Sequence, residues 1–154
     1  MLRPVAIEDQ VITFNTQRFL SAPPSAVFNA FEEAHRLARW WGPSGFTNTF
    51  DLFEFHNGGR WHFKMIGPDG TTYPNQSIFS LIELDRKVIV EHVNQPLFQL
   101  HITLEPLNDG TLLHWTQVFA DPNVAKAMAE VVTVANEQNL DRLETELNFD
   151  NVGN

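Results

Sequence analysis

His92 and Tyr73 are the side chains whose type and position would bring acid–base chemistry to an apolar interior. His92 shares strand parity with Val88 and Val90, so its imidazole turns toward the core, where it would act as a base or hydrogen-bond a ligand. Tyr73 is the only tyrosine and follows the Gly70 turn, with its hydroxyl placed to enter the same hollow. Catalysis needs a nucleophile, a metal or a matched acid and base converging in one pocket. The six histidines, His35, His56, His62, His92, His101 and His114, show no HxH or HExxH spacing, so no metal or cofactor is expected. His62, His101 and His114 fall on the parity opposite their apolar neighbours and should face solvent. Asp51, Glu54 and Glu83 form no carboxylate pair that spacing alone brings together. The glycines at 58, 59, 67 and 70 spell neither GxGxxG nor a phosphate loop and mark hairpin turns.

Binding is better supplied than catalysis. The stretch from Arg39 to Gly70 holds three of the four tryptophans between turn signals and short alternating runs, and such rings line cores or cavities. An aromatic wall beside a few polar groups is the usual composition of a small-molecule pocket. The expected ligand-binding lining is Trp40, Trp41, Phe46, Trp61, Phe63, Met65, Tyr73, Phe79, His92, Trp115 and Gln117. Gln117 shares parity with Leu113 and Trp115, so its amide must find a ligand or a backbone partner. Arg18 lies on the apolar parity of the first strand, where it pairs with a carboxylate, snorkels, or meets an anionic head group.

These residues need elements to hold them. The alternation of Ile12, Phe14, Thr16, Arg18 and Leu20 predicts a half-buried strand over residues 11–20. Pro23 and Pro24 end it, and Pro24 or Ser25 opens a helix with Val27, Phe28, Phe31 and Ala34 at helical spacing. A second helical turn is expected from Ala34 to Trp40, stopped by Gly42-Pro43. Strands follow near 46–55, 59–66, 72–83, 87–93, 97–105 and 111–119, an antiparallel meander. Within Trp61-His62-Phe63-Lys64-Met65, the residues Trp61, Phe63 and Met65 should face inward, and Arg60, His62 and Lys64 outward. Asp121-Pro122 predicts an N-cap with proline at the first helical position. The helix beyond it, about 25 residues and ~38 Å long, presents Val124, Met128, Val131, Ala135, Leu143 and Leu147.

The predicted fold is α+β, with a curved antiparallel sheet of six or seven strands around a long C-terminal helix and two short helices after the first strand. One domain is expected over residues 1–154, with its core at about 11–147. A net charge of −9 without a basic patch makes nucleic acid an unsuitable partner. The chain has no cysteine, compatible with a cytoplasmic location, and no window has the ~18 apolar residues of a membrane span. The acidic residues Glu130, Glu137, Asp141, Glu144, Glu146 and Asp150 read as a solvated helix face or a docking surface for a basic partner. A monomer or a homodimer is expected, the latter through a strand edge or the Trp40–Trp41 face.

Ala22-Pro23 with Val27-Phe28, Arg39-Trp40-Trp41-Gly42-Pro43, Asn57-Gly58-Gly59-Arg60-Trp61, Gly67-Pro68-Asp69-Gly70 and Leu140-Asp141-Arg142-Leu143 occur in an order that resembles the activator of heat-shock-protein ATPase homologue family. That family lies within the START-like (SRPBCC, helix-grip) superfamily, and the resemblance runs from about Val11 to Leu147. It implies a helix-grip fold with a deep cavity for a hydrophobic or amphipathic ligand. Superfamily members include lipid carriers, polyketide cyclases, hormone receptors and chaperone co-factors, so the fold does not choose one activity. The functions to weigh are binding of a small hydrophobic or aromatic molecule, a co-chaperone module acting on a heat-shock-protein ATPase, and a cyclase or hydrolase using His92 or Tyr73. Relatives often carry tryptophan near His92 and histidine near Gln117, two departures within the expected lining.

Overall fold

The computed structural model describes residues 11–152. Strand β1 (Ile12–Leu20) is followed by helices α1 (Pro24–Glu32) and α2 (Ala34–Trp40). Six strands come next: β2 (Thr47–Phe53), β3 (Arg60–Ile66), β4 (Thr72–Glu83), β5 (Lys87–His92), β6 (Phe98–Leu107) and β7 (Gly110–Phe119). Helix α3 (Pro122–Val152) closes the described chain. The strands form one antiparallel sheet in the order β1-β7-β6-β5-β4-β3-β2. The predicted α+β helix-grip arrangement, including both short helices after β1, is the one observed.

Local chemistry explains the boundaries. Pro24 occupies the first turn of α1, where a missing N–H costs nothing. Asp121 Oδ1 accepts from the backbone N–H groups of Asn123 and Val124 at 2.9 and 3.4 Å, the N-cap anticipated before Pro122. Gly59 allows close backbone approach, because a Cβ there would lie 1.9 Å from the Glu54 carbonyl oxygen. Register shifts between Phe50 and Leu52 and between Phe79 and Leu81 bend β2 and β4. On β3, Trp61 and Phe63 are buried while Arg60 and Lys64 are exposed, as the alternation requires.

Two expectations about α3 need correction. The helix has 31 residues, about 46 Å at 1.5 Å per residue. Its apolar stripe also runs through Ala125 and Val132, 0% and 4% exposed, whereas Val131 is 66% exposed. A period of 3.6 leaves a choice between steps of three and four residues, and only the packing of α3 on the sheet decides it. Its N-terminal half covers Ile12, Phe14, Phe98 and Phe119; its C-terminal half places Leu140, Leu143 and Leu147 in the main core.

The acidic residues of α3 are not simply a solvated face. Arg18 of β1 reaches Glu137, Asp141 and Glu144 at 3.1, 2.9 and 3.0 Å. Burial of Arg18 works against its charge, but hydrogen bonds to these carboxylates outweigh that cost and raise its pKa. Glu146 is buried between Arg36 and Arg39 of α2, at 3.0 and 2.6 Å. Burial alone would raise its pKa, yet the hydrogen bonds from Arg39 and Arg36 pull it below the ordinary glutamate value.

Candidate functional site

The inward face of the sheet carries a continuous set of touching aromatic rings. Trp61 of β3 stacks on Phe63 with ring centres 4.3 Å apart and on Phe79 of β4 at 5.4 Å. Phe50 and Phe53 of β2 meet Trp61 edge-on at 5.5 and 6.2 Å. Trp41, just beyond α2, lies 5.0 Å from Trp61 and 5.8 Å from Trp115 of β7. Strands β4, β5 and β6 separate these two partners. A flat sheet would hold β3 and β7 about 19 Å apart at ~4.8 Å per strand, so one indole touches both only because the sheet curls around it.

The expected lining thus divides. Trp40, Trp41, Trp61, Phe63, Phe79 and Trp115 are in the core cluster with Met65 packed against it. Trp40 is 1% exposed and donates its indole N–H to the Ala30 carbonyl at 3.0 Å, tying α2 to α1. Gln117 is buried and finds a side-chain partner, Asn136 of α3, whose amide donates to its Oε1 at 3.1 Å. Phe46 and Tyr73 pack together at 5.9 Å, and Tyr73 is 46% exposed, so the anticipated inward hydroxyl gives way to a half-exposed position near the strand end.

His92 is buried, as its parity predicts, and each ring nitrogen lies close to a protein oxygen. Nδ1 lies 2.7 Å from the Pro96 carbonyl and Nε2 lies 2.8 Å from Asn75 Oδ1. The imidazole stacks on Phe98 at 4.5 Å. Burial pushes its pKa below the ordinary histidine value, against the opposing pull of the Pro96 carbonyl. A neutral imidazole carries one N–H and donates to one of these two oxygens, so the ring ties β5 either to β4 or to the β5–β6 turn.

Polar atoms at the aromatic wall are satisfied unevenly. Trp61 Nε1, Trp115 Nε1 and Asn48 Oδ1 are buried and find no hydrogen-bond partner among the described residues. Asn48 spends its own N–H groups on the carbonyls of Ala38 and Trp41, at 3.0 and 2.9 Å. Arg142 of α3 holds the same loop. Its guanidinium donates to the carbonyls of Trp41, Gly42 and Pro43 through Nη1 and to those of Arg39 and Phe46 through Nη2. Burial lowers its pKa. Sequence reasoning assigned no site role to Asn48, Phe50, Phe53 or Arg142. The usable signals were the shared parity of Asn48 and Phe50 and a lone arginine on the helical step between Asn139 and Glu146.

Two open grooves flank the wall. One, of about 360 Å³, runs between α2 and α3 and is lined by Arg39, Trp40, Asp141, Arg142, Thr145, Glu146 and Phe149. The other, of about 440 Å³, lies at the sheet end beside Val11, His92, Val93, Leu97, Phe98 and Val118. Among the described residues no group of three or more histidine or acidic side chains is placed to hold a metal ion. No helix among them is long and apolar enough to cross a membrane.

A long helix gripped by a curled seven-stranded sheet, with aromatic residues on the inner face, defines a START-like protein of the SRPBCC superfamily. Within it, the chain belongs to the Activator of Hsp90 ATPase homolog 1-like protein family, whose model matches residues 21–148. Solved structures share the fold at low sequence identity. A protein from Arthrobacter aurescens is 24% identical with a TM-score of 0.81, over 88% of this chain and 86% of its own. One from Nitrosomonas europaea is 19% identical with a TM-score of 0.84, over 92% and 97%. An AHSA1-like protein from Aeromonas hydrophila is 16% identical with a TM-score of 0.72, over 91% and 94%. Among curated proteins, none matches the chain.

Proposed function

We propose that the chain binds a small hydrophobic or aromatic molecule on the inner face of its sheet, against Trp41, Trp61 and Trp115, in the cytoplasm. The observation that carries this reading is the pair of buried indole N–H groups of Trp61 and Trp115 that find no acceptor among the described residues. Each buried, unpaired donor costs about 1–3 kcal/mol, and a bound molecule offering an acceptor would recover that cost. The alternatives have weaker support. A docking surface for a basic chaperone segment would use the acidic side of α3, but Glu137, Asp141, Glu144 and Glu146 already face Arg18, Arg36 and Arg39. A cyclase or hydrolase would need His92 or Tyr73, and both His92 nitrogens already lie within 2.8 Å of protein oxygens while Tyr73 is half-exposed.

The test is native mass spectrometry of the protein purified from cells, paired with thermal shifts against a panel of lipids and aromatic compounds. A retained small molecule, or a raised melting temperature with aromatic members of the panel, supports the reading. No retained mass and no shift with any compound would remove its support.

A further inference from the structure

The groove of about 440 Å³ at the end of the sheet carries chemistry that the aromatic wall does not. Cross-strand pairing sets Glu91 beside Gln99 and Gln99 beside Val118, so these three form one row across β5, β6 and β7. They alternate with Val90, Leu100 and Gln117, which are buried, so the row belongs to the opposite face of the sheet. Val11, Val93 and Leu97 stand around it, and all three are exposed. Apolar side chains scattered singly on a surface need no explanation, but several gathered in one concavity mark a binding face.

A single charge stands in this groove. Glu91 is half-buried, and its Oε2 accepts from Gln99 Nε2 at 3.3 Å, while Gln99 Oε1 is held 3.0 Å from His101 Nε2. No described residue donates to Glu91 Oε1, and none of the lining residues is a lysine or an arginine. His92, the other titratable group of the lining, is neutral near pH 7, because burial lowers its pKa. The groove therefore offers one uncompensated carboxylate within apolar surroundings.

We infer that this groove is a binding site separate from the inner face, and that it takes a small organic cation, an ammonium group on an apolar or aromatic body. The ammonium donates to Glu91 Oε1 and supplies the missing counter-charge, while the body covers Val93, Leu97 and Val118. The volume falls in the range of small-molecule pockets, roughly 300–1,000 Å³. A net charge of −9 draws a cation toward the chain from a distance and repels an anion. The site shares no residue with the wall of Trp41, Trp61 and Trp115, so it goes beyond the reading above and does not depend on it.

The experiment titrates three probes of similar shape into the chain: phenethylammonium, the uncharged 2-phenylethanol and the anion 3-phenylpropanoate. Two-dimensional nitrogen–proton NMR locates each one, at millimolar concentration, through the backbone amides of Val93, Leu97, Gln99 and Val118. The expected result is that phenethylammonium moves these amides and binds at least about threefold more tightly than the alcohol, as a partly exposed ion pair allows, with the anion weakest. Glu91→Gln should bring the amine down to the affinity of the alcohol and leave the alcohol unchanged. Glu130→Gln, which removes the same charge from an exposed position on α3, should change neither. Leu97→Ser should weaken all three probes. Equal affinity for amine and alcohol, or amine binding that ignores Glu91→Gln, would overturn the cation class. Shifts confined to the inner face, or no binding of any probe, would overturn the site. Groove shifts that follow protein concentration rather than probe would give this face to a second copy of the chain and overturn the small-molecule assignment.

Discussion

The guanidinium of Arg142 donates to the carbonyl of Trp41 at 3.0 Å, tying the ring between β3 and β7 to the C-terminal helix through its own backbone. Four further carbonyls, from Arg39, Gly42, Pro43 and Phe46, complete the set around Arg142. The bend that lets one side chain collect them depends on Gly42, whose φ of +96° lies in the region that side chains with a Cβ rarely adopt.

Replacing Arg142 should therefore loosen the whole loop between α2 and β2. We expect Arg142→Met to cost about 2–4 kcal/mol, because hydrogen bonds to a charged donor are each worth roughly 1.5–3 kcal/mol and are not additive. Arg142→Lys should recover less than half of that, since an ammonium lacks the planar fork that reaches carbonyls on two sides. Urea denaturation monitored by tryptophan fluorescence measures both. A lysine variant as stable as wild type would contradict the assignment.

Glu146 gives a pH dependence with a defined sign. Its folded pKa lies below the ordinary value of 4.5, so the unfolded chain binds the proton more readily near that pH. The stability it contributes is fully present above about 4.5 and is lost as pH falls through the folded pKa. Glu146→Gln should be less stable than wild type at pH 7, with the difference shrinking steadily as pH falls below 4.5. A difference constant down to pH 3 would show that the buried carboxylate is not the cause.

His92 acts at a higher pH. Its pKa is lowered from 6.5, chiefly by burial, so folding favours the neutral ring. That stabilisation is present above 6.5 and is lost as pH falls from 6.5 toward the folded pKa. His101 shifts in the same direction through its burial and the nearby Lys87, so proton NMR titration must resolve the two rings. Both should titrate below 6.5, and His92→Gln should remove part of the stability loss between pH 7 and 5.5. A His92 midpoint above 6.5 would reverse the sign and refute the burial argument.

Trp40 and Trp41 should respond differently to the same change. The Trp40 indole N–H is bonded to the buried Ala30 carbonyl, so Trp40→Phe should cost about 1–3 kcal/mol by leaving that carbonyl unpaired, beyond any cavity cost. Trp41 supplies ring contacts to Trp61 and Trp115, which phenylalanine partly keeps, so Trp41→Phe should cost less. Thermal unfolding of the two variants compares them directly. Equal losses would mean that Trp41 is as firmly built into the core as its neighbour.

What was legible in the sequence is what depends on neighbours along the chain. The proline pair after β1, the aspartate before Pro122 and the period of two through Trp61, Phe63 and Met65 act over a few residues, and each produced the expected element. The inward aspect of His92 and Gln117 was readable for the same reason.

The remainder was decided across the fold. Whether α3 buries Val131 or Val132 depends on its rotation against the sheet, and a helical period permits both. The carboxylates of α3 meet Arg18, Arg36 and Arg39 from residues about a hundred positions earlier, a pairing that no local spacing encodes. Trp41 reaches Trp61 and Trp115 together only because the sheet curls, and curvature is a property of seven strands and their bulges rather than of any one. Sequence determined that this chain would present aromatic rings on one face of a sheet. Tertiary structure decided that one ring stands between two others and that the N–H groups of those two meet no acceptor among the described residues.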